Sequence, residues 1–204
     1  MAQIPGPARE RLLKLLGILE HRFPEVGLIS SARIEALTGW ARDTIRKDIS
    51  FLGDNGEAPG SSGGYRTELL GPSIKKALGL DRKRKFCVVG LGRLGSACLD
   101  GVSDGGFELA AGFDINVNRV EILSAPAPLY PAYKMGEVIP RFGIELALLC
   151  VPAHSAQAAA EKLAASGIRG IVNFAPVVLS LPPELAVRNV YVTEELRALA
   201  VTIA

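Results

Sequence analysis

Apolar residues recur at helical spacing near the start of the chain. Leu12, Leu13, Leu15, Leu16, Ile18 and Leu19 form a stripe with charges opposite, which predicts a helix over residues 8–22. Phe23-Pro24 ends it, because proline disfavours helix in the residue before it. Ser30 or Ser31 offers an N-cap for a second helix over 32–37, stopped by Thr38-Gly39. A third helix, over 41–52, turns Ile45, Ile49 and Leu52 to its apolar face and leaves Arg42, Thr44, Arg46 and Lys47 elsewhere. Residues 53–65, rich in Gly, Ser and Pro, read as a hairpin tip or wing, or as a plain linker. Helical spacing returns over 68–80 through Leu69, Leu70, Ile74, Ala77 and Leu78, and ends at Gly79.

The pattern then changes. Lys85-Phe86-Cys87-Val88-Val89 is a short apolar, β-rich run, followed by Gly90-Leu91-Gly92-Arg93-Leu94-Gly95 and a helical stretch over 96–102. A second strand over 108–113 ends in Asp114. Leu129-Tyr130 reads as a short strand, 134–142 as a short helix and 145–151 as a buried central strand. An alanine-rich helix over 155–166 and strands over 170–174 and 187–190 follow. Strands alternating with helices predict an α/β, doubly wound parallel sheet. The tail carries Leu196, Leu199, Ala200 and Ile203 opposite Glu194 and Glu195, a helix too short to stand alone. It needs its own domain or a second subunit to lie on.

Composition changes this picture little. The chain has 204 residues, 49% hydrophobic and 22% charged, which allows one large domain or two small ones and excludes a collagen, a coiled coil or a long disordered tail. No apolar run approaches the ~18 residues of a membrane span, and the first residues lack a signal peptide's basic start and apolar core. A cytoplasmic protein is expected. The charge of +2 hides an asymmetry: residues 1–85 balance at +5, the remainder at −3. A basic first half on an acidic second half points the first toward a polyanion. Cys87, Cys98 and Cys150 cannot all pair, and no CxxC or Cys/His cluster marks a metal site. They read as buried, inert thiols, with a redox thiol the sharper alternative.

Two patterns carry chemistry. Short helices joined by a glycine-containing turn, the second basic, make a helix-turn-helix, whose second helix enters the major groove. Arg42, Thr44, Arg46 and Lys47 would face phosphates and base edges, with Tyr65 at the end of the wing and Arg66 just beyond it. In the second half, GxGxxG lies between a strand and a helix, where its physics works: a tight turn, close approach to a pyrophosphate, and packing of helix on strand. Asp114 stands where an acid reaches the adenosine ribose, and its charge would repel a 2′-phosphate, favouring NAD over NADP. The loops Val151-Pro152-Ala153 and Asn173-Phe174-Ala175-Pro176 fall at the carboxyl edge of the sheet, where such folds bind ligands. His154 is the one plausible general base beside them, and reads more simply as a polar residue at a helix start.

These pieces together resemble the Rex family of redox-sensing bacterial transcriptional repressors, over residues 8–200. The specific marks are Ile45-Arg46-Lys47-Asp48-Ile49-Ser50, Leu78-Gly79-Leu80, the glycine motif, Phe113-Asp114, Val151-Pro152-Ala153 and the run from Gly167-Ile168-Arg169-Gly170 to Asn173-Phe174-Ala175-Pro176-Val177. The resemblance implies a winged-helix DNA-binding domain over 1–84 and a Rossmann NAD(H)-binding domain over 85–190. It also implies a C-terminal helix over 191–204 packed on the partner of a homodimer. It implies binding to an inverted-repeat operator and release by NADH. Arg46 and Lys47 would sit at the DNA, Gly90, Gly92, Arg93, Leu94 and Gly95 under the pyrophosphate, and Asp114 on the ribose. The two carboxyl-edge loops would lie along the nicotinamide half.

The chain departs from the family at three positions associated with coupling nicotinamide state to domain rotation. Gly17 stands for an arginine, Gly101 for a tyrosine and Tyr191 for an aspartate. The wing, 56–65, is longer by a few residues, with Glu57-Ala58 where an arginine is expected. Two other readings stay open: a small NAD-dependent oxidoreductase, and a Rex-like DNA binder that has lost NADH sensing. Against the first, the cofactor fold alone uses up the second half of the chain.

Overall fold

A computed structural model describes residues 4–23, 27–53, 60–61, 64–101 and 105–203. They fall into two compact units, Met1–Arg82 and Lys83–Ala204. Pro24, Val102 and most of the expected wing, Glu57-Ala58 included, lie outside the described residues.

In the first unit, α1 (Gly6–Arg22) starts ahead of its apolar stripe, with Pro7 in the first turn, where a missing N–H costs nothing. Leu12, Leu15, Leu16 and Leu19 are buried, whereas Leu13, on the flank of the stripe, is exposed. β1 (Leu28–Ile29) follows, too short for an alternating pattern to reveal it. The Ser30 hydroxyl caps α2 (Ser31–Thr38) by accepting the Arg33 amide at 3.2 Å, and Gly39 closes the helix at φ 72°. α3 (Arg42–Ser50) stops short of the expected 52, because the Phe51 and Leu52 amides tighten onto the Asp48 and Ile49 carbonyls. β2 (Gly60–Ser61) and β3 (Gly64–Arg66) complete an antiparallel sheet of order β1-β3-β2, and α4 (Thr67–Leu78) ends at Gly79. Ile29, Ile34, Ile45, Ile49, Leu70 and Ile74 meet the α1 leucines in one core.

The second unit is a six-stranded parallel sheet of order β6-β5-β4-β7-β8-β9. Its strands are β4 (Arg84–Val89), β5 (Phe107–Asp114), β6 (Leu129–Pro131), β7 (Leu146–Leu149), β8 (Gly170–Asn173) and β9 (Ala186–Asn189). Between them run α5 (Arg93–Gly101), α6 (Val117–Ile122), α7 (Met135–Phe142) and α8 (Ala153–Ala165), and α9 (Val192–Thr202) closes the chain. The order reverses between β4 and β7, the place where doubly wound sheets open a crevice.

β4 shows why its run reads as continuously apolar. Cys87 and Val89 join the core under α7 and α8, and Phe86 and Val88 join the core on the other side, with Leu91 and Leu99. α6 has no buried residue, so no stripe announces it. α5 and α8 begin earlier than their periodicity: α5 takes in Arg93-Leu94-Gly95, and α8 begins directly after Pro152. Among the described residues, no helix is long and apolar enough to cross a membrane.

Candidate functional site

β4 ends at Val89, and the chain turns through Gly90 at φ 90°. A Cβ on Gly90 would press on the Cys150 carbonyl oxygen and Val151 Cγ1, both at 2.8 Å. A Cβ on Gly95 would run into the Gly90 carbonyl oxygen, so the start of α5 packs on the turn itself. Gly92 is different. Among the described residues, no atom other than those of its chain neighbours lies within 4 Å of where its Cβ would stand. The fold has no internal need for glycine there; the space it leaves belongs to a cavity of about 640 Å³, which Gly92 lines.

That cavity runs along the carboxyl ends of β4, β5 and β7 and is mostly apolar, a volume in the range of ligand pockets. Of the residues expected at a dinucleotide, Gly90, Gly92, Leu94, Asp114, Val151, Pro152 and Phe174 line it. Arg93, Gly95, Ala153, Asn173, Ala175 and Pro176 are not in its wall. Gly95 acts through packing. Asn173 is fully buried and holds its own loop: Nδ2 donates to the Val177 carbonyl at 2.9 Å and to Asn189 Oδ1 at 3.0 Å, and Oδ1 accepts the Ala175 amide at 3.0 Å. The Tyr191 hydroxyl donates to the same Val177 carbonyl at 2.8 Å.

Asp114 is 3% exposed, at the end of β5. Its Oδ2 accepts the Leu91 amide at 2.7 Å and its Oδ1 the Asn116 amide, also at 2.7 Å. The carboxylate therefore clamps the glycine loop to β5 and presents its charge at the cavity wall. Arg119 Nη1 stands 3.5 Å from Oδ2 with half its side chain exposed. Sequence reasoning missed Arg119, Lys162 and Cys150 as cavity residues. For Arg119 a signal existed: Asn116 caps α6 by accepting the Asn118 amide at 3.0 Å, which folds residue 119 back over the strand end. His154 lies exposed in the first turn of α8, on the cavity rim.

In the first unit, Asp48 turns inward from α3 and accepts two bonds from Arg11 of α1, at 2.6 and 2.9 Å. Its neighbours Arg42, Arg46 and Lys47 stay exposed, and Thr44 is half-buried. Arg42 pairs with Glu35 at 2.6 Å, Arg46 with Asp43 at 3.4 Å and Arg66 with Glu68 at 2.7 Å. Among the described residues Lys47 has no ion-pair partner. Tyr65, at the foot of the wing, packs on the core that holds Ile45 and Ile49 of α3; burial pushes its phenol up and the Arg46 charge pulls it partly back.

A helix-turn-helix with a β-wing, and a Rossmann-type sheet with a glycine-lined cavity, define a winged-helix protein that carries a nucleotide-binding domain. A family model for the CoA binding domain matches residues 81–177. The redox-sensing transcriptional repressor Rex of Thermus thermophilus is 39% identical over 190 residues, covering 92% of this chain and 88% of that protein. The protein of the same name in Clostridioides difficile is 33% identical over 189 residues, with the same coverage. Among solved structures, RSP, a Rex-family repressor, superposes with a TM-score of 0.84 at 27% identity, covering 100% of this chain and 95% of that one. RSP in complex with beta-NAD+ and operator DNA gives 0.85 at 28% identity, covering 100% and 94%. The chain belongs to the Rex family of redox-sensing transcriptional repressors.

Proposed function

We propose that the chain is a homodimeric repressor that binds an inverted-repeat operator through residues 1–84 and leaves it when NADH binds within residues 85–190. The observation that carries this is Gly92, a glycine with no steric duty inside the protein, facing a cavity at the switch point of the sheet. Room left at the second glycine of this motif is room for a pyrophosphate. Arg93, Leu94 and Gly95 would bring the N-terminus of α5 to the phosphates, and Asp114 would meet the ribose of NAD rather than NADP. Val151, Pro152 and Phe174 would lie along the nicotinamide, with Ala153, Asn173, Ala175 and Pro176 shaping those loops. Relatives are named as repressors, and one was solved with beta-NADH, in keeping with a ligand-gated regulator rather than an enzyme acting on NADH.

The dimer reading rests on α9. It buries none of its residues, and Val192, Leu196, Leu199 and Ile203 form one exposed apolar stripe. A partner subunit would cover it. Switching then needs NADH to favour the DNA-incompetent dimer; a hundredfold preference corresponds to about 2.7 kcal/mol. Its site of action would be the cytoplasm, where the operator is.

The test is fluorescence anisotropy of a labelled inverted-repeat operator, with NADH, with NAD+ and with neither. Release by NADH alone is the expected result; equal binding in all three means sensing is lost. Lys47→Ala should reduce the salt slope of DNA binding by about 1, as loss of one phosphate contact requires. An unchanged slope removes Lys47 from the interface. Asp114→Ala should weaken NADH binding and cost about 1–3 kcal/mol of stability, because it strips the Leu91 amide of its acceptor. Urea unfolding and NADH titration read the two effects separately, and full retention of both would remove Asp114 from the site.

A further inference from the structure

Sequence reading treats the three cysteines alike, and the structure separates them. Cys87 lies inside β4, and burial pushes its thiol up to about 12. Cys98 and Cys150 are part-exposed free thiols packed against the same small core on the α5 side of the sheet. Cys150 directly follows β7, and its Cβ lies 3.4 Å from where a Cβ on Gly95 would stand. Cys98 comes one turn after Gly95 on α5, and residues three apart share a helix face. That face brings the Cys98 thiol to the same corner as Cys150. Burial first, and then the neighbouring Cys98 thiol, push the Cys150 thiol up to about 12 and keep its proton on.

We propose that Cys98 and Cys150 form a reversible intramolecular disulfide on exposure to a hydroperoxide, and that this bond acts on the dinucleotide cavity. Cys98 is the attacking sulfur, since Cys150 holds its proton. The Cys98 thiolate takes the distal peroxide oxygen, the O–O bond breaks, and the departing oxygen leaves as water or alcohol after gaining a proton. The Cys150 sulfur then loses its proton and attacks the sulfenic sulfur of Cys98, expelling hydroxide, which leaves as water. The two thiols lose two electrons in total and the peroxide gains them. A thiol reductant reverses the bond by exchange.

The consequence follows from position. Cys150 lines the cavity and its carbonyl oxygen abuts Gly90, while Cys98 rides on the helix that carries Gly95. A disulfide needs its sulfurs ~2.05 Å apart, inside any non-bonded contact between them, so closure draws α5 toward the end of β7. The glycine loop between them has no slack, because Gly95 already packs on the Gly90 carbonyl. This second step rests on the NAD(H) reading of the cavity; the disulfide does not.

The test treats the reduced full-length chain with hydrogen peroxide, alkylates under denaturing conditions and maps peptides by mass. One Cys98–Cys150 link is expected, removed by dithiothreitol, missing from Cys98→Ser and Cys150→Ser, and retained in Cys87→Ala. A link through Cys87, or sulfinic acid at Cys98 without any link, overturns the proposal. NADH titration of the oxidised and reduced forms should then differ by about tenfold, the oxidised form binding more weakly. Equal affinity with the link in place overturns its action on the cavity. A link that forms in a protein binding NADH in neither state instead counts against the NAD(H) reading and leaves the disulfide standing.

Discussion

Gly95→Ala is expected to lose measurable NADH binding and to unfold at a lower denaturant concentration, with a stability loss of about 3 kcal/mol, the upper end for overpacking. The added methyl meets backbone, the Gly90 carbonyl oxygen, which cannot swing aside as a side-chain tip does. Relief requires α5 to lift from β4, and lifting α5 carries Leu94 out of the cavity wall. The same shift pulls the Leu91 amide from Asp114. NADH fluorescence and urea denaturation check the two effects. Gly92→Ala is the instructive partner: its methyl has open space in the ligand-free protein, so stability should hold while NADH binding falls. A Gly92→Ala protein that binds NADH normally would remove the main support for the pyrophosphate assignment.

Asp48→Ala is expected to destabilise the winged-helix unit by about 2–3 kcal/mol and to abolish operator binding. Removing one member of a buried ion pair leaves the other charge without compensation, typically at a cost of about 3–5 kcal/mol. Arg11 is 29% exposed at its side chain and regains some water, which lowers that figure. Asp48 also fixes the rotation of α3 about its own axis: two bonds to Arg11 lock the helix against α1 and leave Arg46 and Lys47 facing outward. A thermal scan of residues 1–204 together with operator anisotropy separates lost folding from lost docking. Asp48→Asn keeps one acceptor for Arg11 and should recover part of both. Unaltered operator affinity in Asp48→Ala would show that the orientation of α3 is set elsewhere.

Much of this architecture was legible because it rests on period. The stripe of α1, the unbroken apolar run of β4 and the glycine motif between strand and helix are local signals with one physical reading each. The elements that escaped carry no period. β1 is a pair of residues whose partner, β3, lies across the unit, and α6 buries nothing. At the site, Gly90, Gly92 and Asp114 were readable from spacing, since the motif dictates them. Lys162 in the last turn of α8 and Cys150 after β7 share the cavity only because the fold brings them together, which spacing cannot show. Asn173 illustrates the reverse: the loop in which it stands was expected beside the ligand, yet its amide is spent on Val177, Asn189 and Ala175.

The Val177 carbonyl oxygen accepts the Asn173 amide and the Tyr191 hydroxyl together. Two donors on one oxygen make the loop after β8 and the first residue ahead of α9 a single welded corner. Eleven helical residues extend from that corner, a pointer about 16 Å long at 1.5 Å per residue. A tilt of ~5° at the weld sweeps the far end through about 1.4 Å over that length. A small motion of that corner therefore reaches the far end of α9 enlarged. The length of the helix sets that gain, and the Tyr191 hydroxyl bond sets where the lever is hinged.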